Sequence, residues 1–164
     1  MSKTFTWRLL TARELTDVYL QEMRRDFPAG ELKPLSMILN SEAAGMAHTW
    51  GVFAEDTLVS YLLMVRPAGC EVSQLDYFSV LPAYRSSGVG AKLLAALPAH
   101  EEGAKAILIE AECPEAELMS YAIDLRSMTQ GAGSFTCKFV RYEEAPGNVQ
   151  QKVIEEAKAL AEQE

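Results

Sequence analysis

The sequence predicts an α/β fold of the α+β kind, in which a mixed, largely antiparallel sheet is flanked by helices. Apolar residues recur at helical spacing before Gly45 and then alternate, as they do in strands, as far as Val80. One helical stretch then separates two strand-like runs. These two strands should be parallel, because a connection through a helix crosses one face of the sheet.

The first elements should be two helices. Thr11 is a candidate N-cap and Glu14 follows three residues later, which is the capping-box pattern. The helix that begins there should end near Phe27, before a proline. A second helix is expected over about 34–44, because apolar residues recur at helical spacing and a glycine follows as a stop signal.

Strands and one more helix should follow. Three strands are expected as an antiparallel meander, at Thr49 to Ala54, Leu58 to Val65 and Glu71 to Val80. A helix from about Gly88 to Leu97 and a strand from Ala106 to Ala111 come next. The last two elements supply the predicted parallel pair.

Beyond these elements the pattern is helix, strand and helix. The helix should cover about Glu115 to Thr129, the strand Ser134 to Tyr142, and the final helix the residues after Pro146. An exposed edge at Ser134 to Tyr142 would let a second copy pair with it, which leaves a homodimer open. The nearest feature to a domain boundary is the segment Glu101 to Gly103.

Composition limits the classes of partner and site that this protein should have. The formal net charge of −8 disfavours nucleic acid or a ribosome as partner, and Lys and Arg are scattered. No apolar run reaches the roughly 18 residues of a membrane span, so a cytoplasmic protein without a membrane partner is expected. Three widely spaced cysteines predict reduced thiols and no metal site. His48 and His100 are too isolated for a catalytic triad and should be ordinary surface or edge residues.

One loop carries the chemistry. The segment L-D-Y-F-S-V-L-P-A-Y-R-S-S-G-V-G-A-K-L-L, from Leu75 to Leu94, joins a strand to a helix through a glycine-bearing turn. The first N–H groups of that helix lack helical acceptors, and the helix dipole favours an anion there. Gly88 and Gly90 let phosphates approach the backbone, and Arg85 adds a positive charge. The loop therefore predicts a pyrophosphate site.

The same R-S-S-G-V-G motif resembles the acyl-coenzyme A motif of the GNAT superfamily of N-acyltransferases, and the resemblance covers about residues 5–112. It implies acetyl-CoA as acyl donor and a small amine as acceptor. It also implies that the backbone of Phe78 and Val80 pairs with the pantetheine arm, and that amides from Ser86 to Ala91 hold the pyrophosphate. The implied cofactor-binding residues are Phe78, Val80, Arg85, Ser86, Ser87, Gly88, Val89, Gly90 and Ala91.

Direct transfer in this superfamily requires a base for the amine and an acid for the departing thiolate. Asp76 is the first choice as base, because an acid inside an apolar strand needs a reason to be there. Glu110 and Glu112 are the alternatives, and each of the three also suits a structural or solvated role. Tyr121 is a candidate acid, although core packing explains it as well. A cysteine nucleophile is disfavoured, since no histidine is placed to activate one.

The C-terminal part resembles another family. The run from Ile109 to Pro146, and above all Y-A-I-D-L-R-S-M-T-Q-G from Tyr121 to Gly131, is similar to domain V of translation elongation factor G. This resemblance covers about residues 107–164. It implies a hybrid: residues 1–112 form an acyl-CoA-binding portion, and residues 113–164 complete the same sheet with the helix, strand and helix of a ferredoxin-like domain.

The hybrid leaves three readings of function. The chain is an acetyl-CoA-dependent N-acyltransferase or a CoA-binding remnant of one. Alternatively it is a non-catalytic chimeric or recombined fold, or a ribosome-associated module. The tyrosine pattern of the superfamily is absent after the fifth strand, and Ala132 stands where the elongation factor has an arginine in T-Q-G-R-G.

Overall fold

The computed structural model describes residues 5–113 and 118–142, together with residues 115, 144, 147, 150, 151, 154, 155 and 158. The chain forms two compact units, Met1–Ala111 and Glu112–Glu164. In the described part of the chain, no helix is long and apolar enough to cross a membrane.

The first unit contains a five-stranded sheet in the order β1-β2-β3-β4-β5. Its strands are β1 (Thr6–Leu9), β2 (Ala47–Ala54), β3 (Thr57–Val65), β4 (Val72–Val80) and β5 (Ala106–Ile109). Neighbouring strands are antiparallel from β1 to β4, whereas β4 and β5 are parallel. The predicted mixed, largely antiparallel sheet is thus confirmed. As predicted, the two parallel strands are separated along the chain by a helix.

Helices cover the sheet. Their ranges are α1 (Ala12–Val18), α2 (Arg24–Asp26), α3 (Leu35–Ala43) and α4 (Val89–Ala96), and a π-helical turn, Tyr19–Met23, joins α1 to α2. The capping box at the start of α1 is present: the Glu14 N–H donates to Thr11 Oγ1 (3.3 Å), and the Thr11 N–H donates to Glu14 Oε2 (2.9 Å). The first predicted helix therefore exists, but the π-turn interrupts it.

Two hydrophobic cores lie on opposite faces of the sheet. Successive residues of β3 divide between them: Tyr61 and Leu63 pack with α1 and α3, while Leu62 and Met64 pack with α4. Because side chains alternate across a strand, a central strand that is buried on both faces has a continuous apolar run. This explains the sequence Y-L-L-M at the centre of β3.

A β-bulge in β4 changes which face its residues occupy. Leu63 of β3 pairs with Tyr77, but the next residue, Met64, pairs with Leu75, so Asp76 has no partner in β3. The extra residue resets the alternation. Leu75 therefore packs in the core under α4, whereas Tyr77 packs in the core under α1 and α3. The bulge is the structural reason for an acidic residue at this point of an apolar strand.

The segment Glu101 to Gly103, which the sequence suggested as the nearest feature to a domain boundary, is tied into the first unit by hydrogen bonds. Glu101 is buried, and its carboxylate accepts hydrogen bonds from Trp50 Nε1 (2.8 Å) and Ser73 Oγ (2.8 Å) and pairs with His48 Nε2 (2.7 Å). Burial raises the pKa of Glu101, but the hydrogen bonds outweigh it and lower the pKa overall. His100 is not an isolated surface residue either, since its ring stacks on Trp7 at 4.2 Å.

The structure differs from the sequence-based expectation at both ends of the sheet. It adds β1, in which the alternation of Phe5, Trp7 and Leu9 is typical of a strand. The predicted strand Ser134 to Tyr142 is wrong: this segment is irregular, and Phe139 and Tyr142 within it are exposed. A strand needs a neighbour to take up its backbone hydrogen bonds, and none pairs with this segment among the described residues. The strand edge on which a homodimer would rest is accordingly absent.

In the second unit the predicted helix is present as α5 (Leu118–Met128). The turn that follows it contains Gly131, whose φ of +84° places it in the left-handed region and whose N–H donates to the carbonyl of Arg126 (2.8 Å). Most of the predicted final helix after Pro146 lies outside the described residues. The proposed division at 112 into two portions that share one sheet stays a prediction.

Candidate functional site

The C-terminal half of β4 has an open edge. β5 pairs only with Val72–Leu75, before the bulge, so no described strand covers the far side of β4 beyond it. The Leu81 N–H donates to the carbonyl of Val59 in β3 (2.8 Å). Since backbone groups alternate in an antiparallel pair, those of Phe78 and Val80 point away from β3, toward the open edge. The edge thus presents the backbone groups of Phe78 and the N–H of Val80 to a ligand, while the Val80 carbonyl already accepts a hydrogen bond from Arg85 Nε.

A cavity of about 590 Å³ lies against this edge. Its wall combines the end of the first helical segment, the last residues of β4 and the start of the following loop. The lining residues are Arg25, Asp26, Phe27, Phe78, Ser79, Val80, Pro82 and Arg85. The cavity therefore extends from the open edge to Arg85, the first residue of the loop in which the sequence predicts a pyrophosphate site.

The loop after β4 leads into α4 through a left-handed turn. Gly88 is the N-cap of α4 and has φ +72°, a conformation that favours glycine. No side chain caps the helix. The N–H groups of Val89, Gly90 and Ala91 consequently have no helical acceptors and remain available to an anion. The donor set suits a diphosphate.

Turn geometry holds the rest of the loop. Ser86 also has a positive φ, +57°, and the Ser87 hydroxyl donates to the carbonyl of Tyr84 (2.6 Å). A Cβ built on Gly90 would make ordinary contacts with Val80 (3.6 Å) and Phe78 (3.8 Å). In this loop the backbone conformation therefore requires glycine at 88 more strictly than at 90.

Arg85 lies where the open edge meets the loop. Its Nε donates to the carbonyl of Val80 (2.7 Å), and its Nη2 donates to Asp26 Oδ1 (3.0 Å) and Ser79 Oγ (3.3 Å). The side chain is still half exposed. The charge of Arg85 is thus tied to the end of β4, and its place beside the phosphates stays a prediction.

Asp26 is the residue of this site that the sequence did not reveal. Its side chain is only 7% exposed. Ser79 Oγ (2.6 Å) and the Tyr61 hydroxyl (3.2 Å) donate to Oδ2, and Arg25 Nε (3.1 Å) and Arg85 donate to Oδ1. Burial raises the pKa of Asp26, but these hydrogen bonds outweigh it, so the pKa is lowered overall. Burial, with the Asp26 charge nearby, raises the pKa of Tyr61.

Asp76, the first-choice base, lies at the bulge. Its Oδ2 accepts a hydrogen bond from Lys33 Nζ at 2.6 Å, and its side chain is 11% exposed. The neighbouring Tyr77 hydroxyl binds the same loop, since it donates to the Glu31 carbonyl (2.8 Å) and accepts from the Lys33 N–H (2.9 Å). These contacts pin the loop between α2 and α3 to β4. Any proton transfer to Asp76 has to occur beside a lysine ammonium.

The other candidate acids are in different places. Leu75 of β4 and Ile109 of β5 form the last pair between these two parallel strands. Asp76 and Glu110 are the residues that directly follow this pair, one on each strand. Glu110 is exposed. Glu112 belongs to the second unit and forms an ion pair there with Arg141 (2.9 Å).

Tyr121 also belongs to the second unit. It lies on α5, is 41% exposed, and its ring meets Phe135 edge-on at 5.9 Å. Its surroundings in that unit are those of a partly packed aromatic side chain.

Comparison with known families identifies the family of this chain. The model for the acetyltransferase (GNAT) family matches residues 11–122, well over half of the chain. The protein therefore belongs to the GNAT family. Acetyl-CoA, the acyl donor expected from the sequence, is the one that this family uses, and its members transfer acyl groups to amines.

A second family model, elongation factor G C-terminus, matches residues 98–153. Both resemblances found in the sequence are therefore confirmed. The two matches overlap from 98 to 122, across β5 and the beginning of α5.

Solved structures share the fold at low identity. A GNAT-family acetyltransferase from Bacteroides thetaiotaomicron has a TM-score of 0.57 and 20% identity, over 76% of this chain and 70% of its own. Glucosamine-6-phosphate N-acetyltransferase from Arabidopsis thaliana has a TM-score of 0.53 and 12% identity, over 86% and 99%. AAC(6')-Iy, in complex with the bisubstrate analogue CoA-S-monomethyl-acetylneamine, has 0.52 and 15%, over 87% and 99%. These likenesses establish the fold.

Proposed function

We propose that this protein binds acetyl-CoA along the open edge of β4 and transfers the acetyl group to the amino group of a small molecule. The observation that carries the proposal is the order of the groups along the chain. The open edge of β4 is followed, after the loop 81–88, by the uncapped start of α4, where three N–H groups lack helical acceptors. An extended amide-bearing arm that ends in a diphosphate matches this sequence of groups.

Each part of the donor has its own set of residues. The backbone groups of Phe78 and Val80 pair with the pantetheine arm as an added strand would. The diphosphate is bound by amides between Ser86 and Ala91, a set that includes Ser87, Gly88, Val89 and Gly90. Arg85 adds a charge-assisted hydrogen bond at the boundary between arm and diphosphate.

In the reaction the amine nitrogen attacks the thioester carbonyl carbon, the new C–N bond forms and the C–S bond breaks. The proton of the attacking nitrogen passes to a carboxylate, for which we propose Asp76, with Glu110 as the alternative from the neighbouring strand. The departing CoA thiolate takes up a proton. Tyr121 is proposed as its source.

The first test is a calorimetric titration of the full chain with acetyl-CoA, accompanied by a thermal-shift measurement. We expect measurable heat and a raised melting temperature, since a ligand that binds only the folded state stabilises it. ADP, which has the diphosphate but no pantetheine arm, should bind more weakly. The absence of both heat and stabilisation with acetyl-CoA would refute the binding proposal.

The second test separates catalysis from binding. A panel of primary amines is incubated with acetyl-CoA, and release of free CoA thiol is followed for the wild type and for Tyr121→Phe. Thiol release that depends on the amine supports transfer. Binding without release identifies the chain as a CoA-binding remnant, and wild-type rates in Tyr121→Phe would remove that residue from the mechanism.

The segment that matches the elongation factor favours a second candidate, association with the ribosome. The net charge of −8 opposes contact with RNA. Co-sedimentation with ribosomes at physiological salt would support this candidate, and recovery of the protein only in the supernatant would dismiss it.

A further inference from the structure

Asp26 has no capacity left for proton transfer. Each carboxylate oxygen accepts two hydrogen bonds, Oδ1 from two arginines and Oδ2 from two hydroxyl groups. A carboxylate satisfied in this way is held ionised and in one orientation. Its role has to be sought in the groups that it orients.

The most informative of those groups is Arg85, which lies 59 residues away in the chain. Asp26 and Ser79 hold its Nη2, and the Val80 carbonyl holds its Nε. Within the described part of the chain, Nη1 has no hydrogen-bond partner. The guanidinium lines the cavity and is held through two nitrogens, with one nitrogen left for a ligand.

We propose that Asp26 is a positioning residue, which keeps Arg85 in the orientation that binds the diphosphate of acetyl-CoA. This inference rests on the proposed function. A free arginine side chain loses rotamer freedom when it binds a phosphate, and that loss weakens binding. Here folding has already ordered the side chain, because Asp26 and the end of β4 hold it.

The charge of Asp26 and its hold on Arg85 should affect acetyl-CoA binding in opposite directions. Arg25 is bound by Glu22 as well as by Asp26, so Arg25 and Arg85 are balanced by two carboxylates. Removal of the Asp26 charge would leave an excess positive charge beside an anionic ligand. Through charge alone Asp26→Asn should therefore tighten acetyl-CoA binding, whereas through loss of orientation it should weaken binding. The sign of the effect distinguishes the two.

The experiment compares two ligands on three proteins. Acetyl-CoA and S-acetylpantetheine, which lacks the diphosphate, are titrated into the wild type, Asp26→Asn and Asp17→Asn. Asp17 is exposed on α1, so its variant changes the net charge equally without contact to the loop. We expect Asp26→Asn to weaken acetyl-CoA binding about tenfold, the size of one charge-assisted hydrogen bond. S-acetylpantetheine should lose less than about twofold, and Asp17→Asn should match the wild type.

Several results would overturn the inference. Unchanged or tighter acetyl-CoA binding by Asp26→Asn shows that orientation is not its role, and equal losses for the two ligands show a general structural defect. If the wild type binds neither ligand, the proposed function fails and this inference fails with it. If the wild type binds acetyl-CoA but Asp26→Asn shows no selective loss for acetyl-CoA over S-acetylpantetheine, the proposed function stands and only this inference fails.

Arg85→Lys tests the same contact from the other side and replaces Asp26→Asn if that variant does not fold. Lysine keeps the charge but cannot bridge Asp26 and the Val80 carbonyl through separate nitrogens. We expect the same selective loss of acetyl-CoA binding. An Arg85→Lys protein with wild-type affinity for acetyl-CoA contradicts the proposal.

Discussion

The two halves of β4 each carry a serine that donates to a buried carboxylate, and the two clusters differ in their surroundings. In the N-terminal half, Ser73 donates to Glu101, whose other partners are His48 and Trp50 of β2. In the C-terminal half, Ser79 donates to Asp26, whose other partners include two arginines. The first half has strands on both sides and the second has an open edge.

The difference separates a buried polar cluster that stabilises the fold from one that lies at the proposed binding edge. Where the sheet is closed, the buried carboxylate joins elements of the same unit, and both edges of the strand are paired with neighbouring strands. Where the sheet is open, the carboxylate orients a cation beside unpaired backbone groups. One strand therefore supports the fold with its first half and offers a binding edge with its second, and the bulge at Asp76 lies between them.

The largest expected effect concerns the bulge. Asp76→Asn should lower kcat about 100-fold or more, as expected when a general base is lost, and leave acetyl-CoA affinity within about twofold. Steady-state kinetics with an active amine, together with calorimetry, measure both quantities. Glu110→Gln is the matched control from β5. If Glu110→Gln shows the large loss and Asp76→Asn does not, the base belongs to β5.

The next effect concerns the closed half. Glu101→Gln should lower the free energy of unfolding by about 2 kcal/mol, because an amide group replaces a buried acceptor that faces three donors. Urea denaturation gives the value. Acetyl-CoA affinity should stay unchanged, since none of the four residues of this cluster lines the cavity. A selective loss of cofactor binding would show that the two halves are not separate in function.

A smaller effect is expected at the loop. Gly88→Ala should weaken acetyl-CoA binding about tenfold and lower the free energy of unfolding by about 1 kcal/mol, because alanine is strained at φ +72°. Gly69→Ala is the control, with φ +77° and equally open space around it. Similar losses of stability with a loss of binding only at 88 support the site. Equal acetyl-CoA affinity of the two variants would show that the loop at Gly88 does not bind the cofactor.

The smallest effect is a pH dependence. The pKa of Glu101 is lower in the folded protein than its ordinary value of 4.5. The stability that its charged form contributes is present above the unfolded pKa, and it is lost as pH falls through the folded pKa. Unfolding free energies measured from pH 6 downward should fall less steeply for Glu101→Gln than for the wild type. Parallel curves for the two proteins would show that Glu101 does not titrate in this range.

Much of the first unit could be predicted because its signals are local. The capping box of Thr11 and Glu14, the alternation along β3 and β4, and the helix after Gly88 each depend on neighbouring residues. The predicted strand Ser134 to Tyr142 had a similar alternation, yet alternation is only a condition for a strand. A partner has to supply the hydrogen bonds, and the described residues show none.

The sequence by itself determined the family, the order of the main elements and the loop from Arg85 to Gly90, because these follow from short-range patterns and a specific motif. Only the tertiary structure brought Asp26 to Arg85, placed Lys33 on Asp76 and left the end of β4 unpaired. Contacts between residues far apart in the chain depend on how strands pair and where a bulge shifts their register. No local pattern contains that information, so the orientation of the predicted cation became visible only in the folded chain.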